Sequence, residues 1–341
     1  MIKPLTAAAP ERPSAVSFLR GLAAKSAFLL AATVGLNLLV DPLGVHGSRL
    51  FDPIALKTRG TKLYLYEQTR PAPAIVVLGS SRSFGVEPRY ITAKTSRSAF
   101  NAAVGGAGTR DYLEFARCFA VRGTFPSLLI VGLGVEQALS EGRTLERNDL
   151  MEDCLHASSS LTERVRSYGG LLTLDETRAS LRVLGLEVTG RPAPAYSFGK
   201  DGMVRGMAWP PLRRLDQTVN DSLAAAWGPR NFASEHLSAE SVGQVRQLLE
   251  LCRDHGAKVI VYLPPYHPRA LALYLKESHF ASARSELRER LASWATQYPM
   301  RFYDFTEVSR FGGREEMFDD ASHPTEDANR LMLDIMLADE S

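Results

Sequence analysis

Short runs of apolar, mostly β-branched residues recur along the chain and are typical of strands buried on both faces of a sheet. The clearest runs are Ala74–Leu78, Leu128–Val131 and Lys258–Leu263. Ser98–Asn101 and the weaker run Arg301–Phe305 have the same character. The pattern therefore predicts five strands.

Before, between and after these runs, apolar positions recur with helical spacing, at residues 54–69, 109–122, 238–255, 269–296 and 324–338. Strands that alternate with helices predict an α/β fold, here a three-layer, flavodoxin-like, mainly parallel sheet with helices on both faces. Loops at the C-terminal ends of such strands usually carry the functional site. Residues 140–235 break the alternation and contain many turn-forming residues, and we interpret them as a cap region inserted over the sheet.

The N-terminal region contains an uncharged apolar run at residues 26–40, directly preceded by Arg20 and Lys25. The run is shorter than the ~20 residues that usually cross a bilayer, but basic side chains can extend to the interface and lengthen the usable helix. A buried core helix and a cleaved signal peptide are the alternatives. Residues 37–42 lack the small residues of a cleavage site, so an uncleaved signal anchor is favoured.

This interpretation divides the chain into four parts and places basic residues before the anchor on the inner side of the membrane. The predicted parts are a disordered cytoplasmic tail at 1–15, a transmembrane anchor at 16–40, a membrane-proximal linker and helix at 41–73, and an exported domain at 74–341.

Composition removes several classes of function. The 341 residues carry a net charge of +2, so no basic field favours nucleic acid as a partner. No C-x-x-C pair, P-loop or G-x-G-x-x-G motif is present, so neither a metal nor a cofactor is predicted. Three cysteines allow one internal disulfide, and we interpret Cys118 and Cys252 as small buried hydrophobic residues.

A turn of small residues, Gly79-Ser80-Ser81, directly follows the first strand. Such a turn raises a side chain to the edge of the sheet and directs backbone N–H groups to the same point, as a serine nucleophile and its oxyanion donors require. A plain turn or an anion-binding nest is the alternative interpretation.

A second motif near the C-terminal end is Asp320-x-x-His323-Pro324. His323 precedes a helix that Pro324 can start, and a turn can bring the Asp320 carboxylate to the imidazole. That pair would orient a general base for a serine. The alternative is that Asp320 or Ser322 only caps the last helix.

The order of these motifs resembles the SGNH/GDSL hydrolase superfamily, which opens with Gly-Asp-Ser and closes with Asp-x-x-His. The resemblance implies that Ser81, Asp320 and His323 form a catalytic triad. It also implies that the N–H groups of Ser81 and Gly106 hold the oxyanion, since Gly106 follows Asn101 by five residues, with Gly105 as the alternative donor.

Two features depart from that family's pattern. Ser80 replaces the Asp of the first motif, and the third motif, Gly-x-Asn-Asp, is absent where the chain has Gly132-Leu133-Gly134. The Asn that would complete the oxyanion hole is therefore missing, which implies a slow hydrolase or a substitute donor from the insertion.

An N-terminal anchor, Asp41-Pro42 and Gly-Ser-Ser-Arg together resemble SGNH-like proteins of exopolysaccharide O-acetylation and bacterial cell-envelope modification. The resemblance implies a single-pass protein of the bacterial inner membrane with a periplasmic domain. It also implies a polysaccharide or acylated glycan substrate and a membrane-bound acyltransferase as partner. O-acetyltransferase and acetylesterase activity both stay open, and the alternative is an inactive glycan-binding or scaffold subunit.

Several further residues are candidates for contacts with substrate. Arg82 would contact an anionic or sugar substrate, or else pair with a surface carboxylate. Tyr266 and His267 follow the fourth strand and would form a substrate wall, or else a rigid loop. Trp209 and Trp227 are suited to stacking on sugar rings or to ordinary packing.

Overall fold

A computed structural model describes residues 15–42, 48, 50–51, 58–140, 154, 171–190, 197–205, 217, 219–220 and 229–340. The predictions for the N-terminal tail, for Trp209 and Trp227 and for most of the insertion lie outside the described residues. The chain divides into two compact units, one of residues 1–53 with 163–191 and one of residues 54–162 with 192–341.

The larger unit contains a sheet of five parallel strands in the order β2-β1-β3-β6-β7. A short antiparallel hairpin, β4–β5, lies in the same unit. The strands are β1 Ile75–Gly79, β2 Ala99–Asn101, β3 Leu128–Gly132, β4 Ser197–Phe198, β5 Val204–Arg205, β6 Lys258–Leu263 and β7 Met300–Asp304. The predicted strands and the parallel arrangement are confirmed.

The helices follow the predicted positions with two kinds of difference. They are α1 Ala15–Val40, α2 Thr58–Gln68, α3 Pro88–Thr95, α4 Thr109–Val121, α5 Val135–Leu139, α6 Leu174–Thr189, α7 Ala239–Asp254, α8 Pro268–Glu277, α9 Phe280–Ala295 and α10 Glu326–Met336. The single helix predicted at 269–296 is two helices, because Ser278 has an extended backbone that ends α8. The sequence pattern did not predict α3, α5 or α6.

Alternate residues of the central strands enter two separate apolar cores. Leu78 belongs to the same core as Phe115 of α4. Val77 points the other way and shares a core with Met332 of α10. Because successive side chains of a strand face opposite sides, helices cover both faces of the sheet, and the predicted three-layer α/β fold is confirmed.

The order in which strands are added to the sheet changes direction at β1, since β2 lies on one side of β1 and β3 lies on the other. Loops diverge at such a point and leave a crevice outside the C-terminal ends of the strands. Ser81 follows β1 by two residues, so the fold places it at this crevice.

Cys118 and Cys252 are both buried, as predicted. The one internal disulfide that three cysteines allow joins Cys118 to Cys154, which lies in the insertion. Cys252 is a free thiol.

Candidate active site

The turn after β1 needs a glycine for space and a serine for a hydrogen bond to the backbone. A Cβ atom at Gly79 would lie 2.1 Å from Ser83 Oγ, so only glycine leaves room for the Ser83 hydroxyl, which pairs with Tyr262 at 2.8 Å. Ser80 then accepts a hydrogen bond from the backbone N–H of Arg82 and starts a 3₁₀ turn over Ser81–Ser83. This turn fixes the backbone that carries Ser81.

Three side chains from the two ends of the larger unit meet at this turn. Ser81 Oγ lies 2.8 Å from His323 Nε2. His323 Nδ1 lies 2.7 Å from Asp320 Oδ2. The structure therefore brings together the three residues that the sequence predicted as a catalytic triad, in the serine-to-imidazole-to-carboxylate order of a nucleophile and its base.

The turn that carries Asp320 and His323 holds the carboxylate in place. Asp320 Oδ1 accepts hydrogen bonds from the backbone N–H groups of Ser322 at 2.7 Å and of His323 at 2.9 Å. Burial alone would raise the pKa of Asp320, but the hydrogen bond and charge of His323 and the two N–H groups outweigh it and lower the pKa to about 2. The carboxylate is therefore ionised at neutral pH, as an orienting acid requires.

A neighbouring carboxyl group behaves in the opposite way. Burial, followed by the negative charge of Asp320, raises the pKa of Asp319 to about 6. Asp319 lies on the wall of the cleft beside His323. The sequence pattern did not indicate Asp319, because its raised pKa comes from burial and from the charge of Asp320 and not from its position in the motif.

The predicted glycine donors of the oxyanion hole, Gly106 and its alternative Gly105, lie on the loop that follows β2. The N–H groups of Ala102 and Val104 donate to the carbonyls of Val77 and Gly79, so this loop runs along the end of β1. Gly106 has φ of +64°, a conformation that favours glycine. Within the described part of the chain, the N–H groups of Ser81 and Gly106 have no protein acceptor.

Glu136 occupies the space beside the backbone where the missing Asn was expected. A Cβ atom at Gly134 would lie 2.3 Å from Glu136 Oε1. Glu136 cannot easily move, because Arg82 and Tyr266 both hold its carboxylate. The segment at the position of the third motif therefore contributes Glu136 to an ion pair with Arg82, and it has no side-chain amide at Gly134.

Two amides that the sequence analysis did not assign hold the loops of the site. Asn101 Nδ2 donates to the carbonyls of Ser83 at 2.9 Å and Val86 at 2.8 Å, beyond the Ser81 turn. Gln137 Nε2 donates to Ala107 O at 2.6 Å, next to the predicted oxyanion loop. Asn101 ends β2 and Gln137 lies five residues after β3, and closeness to a strand end is the signal in the sequence that could have indicated them.

The predicted role of Arg82 in substrate contact needs correction. Its guanidinium donates to the carbonyls of Pro264 at 2.8 Å, Pro265 at 2.6 Å and Ser322 at 3.2 Å. It also pairs with Glu136 at 3.1 Å and lies 3.9 Å from the centre of the Tyr266 ring. Arg82 is 5% exposed, so its charge is paired within the protein and is not available to contact a substrate.

Tyr266 and His267 are also interior residues rather than parts of a substrate wall. Tyr266 is 3% exposed, and its hydroxyl donates to Glu136. His267 is likewise 3% exposed, and its Nδ1 accepts from the N–H of Arg269 to cap α8. The alternative interpretation of this segment, a rigid loop, describes these contacts.

A cleft of about 560 Å³ opens beside Ser81 and His323. Part of its wall comes from the β4–β5 hairpin, through Asp201 and Arg205 among others. Lys62 is fully buried beneath this hairpin and donates to the carbonyls of Asn101 at 2.7 Å and Gly202 at 2.5 Å. Burial lowers the pKa of Lys62 well below its ordinary value.

No three His, Cys, Asp or Glu side chains cluster in a way that could hold a metal ion, among the residues that the structure describes.

No protein-family model matches the chain, and no curated protein sequence matches it. Solved structures that are similar include a GDSL-like lipase from Bacteroides thetaiotaomicron, at 11% identity and a TM-score of 0.39 over 83% of this chain and 95% of that one. A protein described as an acylhydrolase from Bacteroides fragilis has 12% identity and a TM-score of 0.37 over 83% and 94% of the two chains.

A protein described as lipolytic and of the G-D-S-L family, from Desulfitobacterium hafniense, has 13% identity and a TM-score of 0.35 over 76% and 94% of the two chains. Likeness at this level carries no inference about activity or substrate, which rest on the geometry of the site.

Proposed function

We propose that this protein is a serine-dependent acyl-ester enzyme. Ser81 Oγ attacks the carbonyl carbon of an ester while His323 Nε2 takes the hydroxyl proton, and Asp320 stabilises the imidazolium. The tetrahedral intermediate collapses when His323 returns the proton to the leaving alcohol, which gives an acyl-serine. Water or an acceptor hydroxyl then takes the acyl group by the same steps in reverse.

The observation that carries this proposal is the continuous path of hydrogen bonds from Ser81 Oγ through His323 to Asp320, at 2.8 and 2.7 Å. Both lengths suit proton transfer. A lone cap on the last helix would need only the bonds from Asp320 to the backbone, and would not need the imidazole to reach a serine 242 positions away.

The oxyanion would be held by the N–H groups of Ser81 and Gly106, with Gly105 as the alternative donor. A side-chain amide at Gly134 is lacking, and loss of one such donor typically slows an acyl transfer by about 10²–10³-fold. We therefore expect turnover well below that of a site with three donors.

Two observations support a position outside the cytoplasm. Helix α1 is long and apolar enough to cross a membrane, which suits a single-pass anchor. The disulfide between Cys118 and Cys154 suits an oxidising compartment such as the periplasm, because cytosolic thiols are kept reduced. In this proposal the anchor lies in the inner membrane and the site faces the periplasm.

The cleft supports a polar substrate. Charged residues of both signs line it, among them Glu87, Arg89, Asp201 and Arg205. Such walls suit the hydroxyl groups of a glycan better than a long acyl chain. The proposed substrate is an O-acetylated polysaccharide of the envelope, with a membrane-bound acyltransferase as the partner that would supply or receive acyl groups.

A second candidate is a scaffold or glycan-binding subunit without turnover. The observation that favours it is the Arg82–Glu136 pair, which takes the place of an oxyanion donor with a purely structural contact. The two candidates differ in whether Ser81 is nucleophilic.

The test is labelling of the full-length protein, in detergent, with a fluorophosphonate probe. The proposal expects labelling of the parent protein and of Ser285→Ala, a control at an exposed serine of α9, and none of Ser81→Ala. An unlabelled parent whose circular dichroism is that of a folded protein would exclude the enzyme. If labelling occurs, acetate release from acetylated glycan, with and without an acceptor glycan, distinguishes esterase from transferase.

A further inference from the structure

One face of α6 carries large apolar side chains that are exposed. Leu174 is 74% exposed, Leu181 57% and Val188 87%. These residues are spaced seven apart, about two helical turns, so they form one stripe along the helix. Single exposed apolar residues are ordinary, but an aligned set of this kind marks an interaction surface.

The neighbouring face of α6 is attached to the apolar helix α1. Asn37 of α1 is buried and donates to Leu171 O at 2.7 Å and to Thr177 Oγ1 at 3.1 Å. Ser180 of α6 donates to Asn37 Oδ1 at 2.8 Å. These bonds satisfy a polar amide within the uncharged run 26–40 of α1, which is the condition for such a residue in a membrane-spanning segment.

The position of this contact fixes the depth of α6 relative to the anchor. Asn37 lies three residues before Val40, where α1 ends. At 1.5 Å per residue, that is about 5 Å from the end of the helix. If α1 spans the bilayer, the contact with α6 therefore lies at the level where acyl chains meet head groups, the depth at which amphipathic helices are typically buried.

Basic residues lie beside the stripe. Arg178 is exposed between Leu174 and Leu181 on the same face, and Arg182 follows it by one turn. Arginine at this level can extend to lipid phosphates while its stem covers apolar surface. The stripe with its adjoining arginines fits a lipid surface better than it fits water.

We propose that α6 is a membrane-interface helix, whose stripe of Leu174, Leu181 and Val188 lies in the outer face of the bilayer beside the anchor. The proposal rests on α1 spanning the membrane and does not depend on the esterase activity. It adds a second attachment of the chain to the lipid surface, beside the anchor. The occupant of the stripe is lipid rather than a second protein chain.

The test uses the full-length protein in nanodiscs of phosphatidylcholine and phosphatidylglycerol, with an environment-sensitive fluorophore on single introduced cysteines. Leu181→Cys reports on the stripe, and Asp175→Cys is the matched control, since Asp175 is exposed on the same helix but lies about 100° around the helix axis from Leu174, where it pairs with Arg178. The natural Cys252 should not react, because burial raises the pKa of its thiol to about 12.

We expect lipid spin-labelled near the head group to quench the Leu181→Cys probe about twofold or more beyond the Asp175→Cys probe, because only the former would sit among acyl chains. Equal quenching at the two positions would overturn the proposal. A blue-shifted but unquenched Leu181→Cys probe would also overturn it, since a protein chain would then cover the stripe. A Leu29→Cys probe in α1 tests the anchor separately, so failure of the anchor and failure of α6 are distinguishable.

Discussion

Replacement of Arg82 by Met should test whether the buried ion pair holds the site together. Met keeps the apolar stem but removes every hydrogen bond of the guanidinium. The bonds lost are those to Glu136 and to the carbonyls of Pro264, Pro265 and Ser322. Arg82 follows Ser81 and Ser322 precedes His323, so one side chain links the backbones that carry nucleophile and base.

The expected loss of stability follows from what remains unpaired. Removing one partner of a buried ion pair typically costs about 3–5 kcal/mol, because the other charge is left without compensation. Glu136 is 23% exposed and can recover some hydration, which lowers its share. Unsatisfied carbonyls add about 1–3 kcal/mol each where water cannot reach them. We expect Arg82→Met to lower the free energy of unfolding by about 3–5 kcal/mol.

The assay is urea unfolding followed by circular dichroism, with ester hydrolysis measured under native conditions on the same samples. Displacement of catalytic groups by about 1 Å can reduce turnover 10²-fold, so kcat should fall by a comparable factor. Arg82→Lys should recover part of the stability, but less than all of it, because an ammonium lacks the planar fork. Glu136→Gln combined with Arg82→Met should show a coupling energy above about 1 kcal/mol.

Arg253→Met is the control, because Arg253 is 53% exposed and its loss should change stability by less than about 0.5 kcal/mol. The reasoning is refuted if Arg82→Met unfolds within 1 kcal/mol of the parent (about the range of an ordinary surface change) and keeps full activity.

Three more predictions follow from buried groups. Asp319→Asn should stabilise the protein as the pH rises through 4–6 and above. Because the pKa of Asp319 is raised to about 6 in the folded protein, ionisation of this carboxyl group opposes folding in that range. The opposing free energy is about 3 kcal/mol before solvent screening and about half that after it. Lys62→Met should leave two carbonyls without a donor and speed hydrogen exchange in the 197–205 hairpin. Reducing the bond between Cys118 and Cys154, 36 residues apart, should lower stability by about 4 kcal/mol in urea unfolding.

Each of these has a control within the chain. Glu315→Gln removes an exposed acid near Asp319 and should not produce the pH-dependent gain, so a similar gain in both would contradict the argument. An exchange rate at 197–205 that Lys62→Met leaves unchanged would contradict the anchoring role. Cys252→Ser should leave the response to reductant unaltered, whereas a loss of that response would assign the effect to the wrong thiol.

The sequence was sufficient for the sheet because the central strands are buried on both faces and so read as continuous apolar runs. The meeting of Ser81 with His323 was implied by the resemblance of their two motifs to the SGNH/GDSL pattern, and it agrees with the rule that functional loops lie at the C-terminal ends of parallel strands. Neither inference needed knowledge of side-chain contacts.

The environment of Arg82 could not be predicted in the same way. From the sequence alone, an arginine that follows a nucleophile is expected to be exposed. The burial of Arg82 depends on four hydrogen-bonding partners that are up to 240 positions away. Helix α6 escaped prediction for a related reason: its apolar residues are interspersed with charges and lie on the outside, so their spacing does not mark a protein core. Contacts between distant segments decide both cases.

The 242 positions between Ser81 and His323 have a consequence for the chain as it is made. At a synthesis rate of about 5–20 residues per second, His323 is added some 10–50 s after Ser81. A chain cut short before His323 would carry the proposed nucleophile but no imidazole to activate it. The proposed chemistry would therefore begin only when the larger unit has been made in full and has folded, and unfinished copies would be inactive.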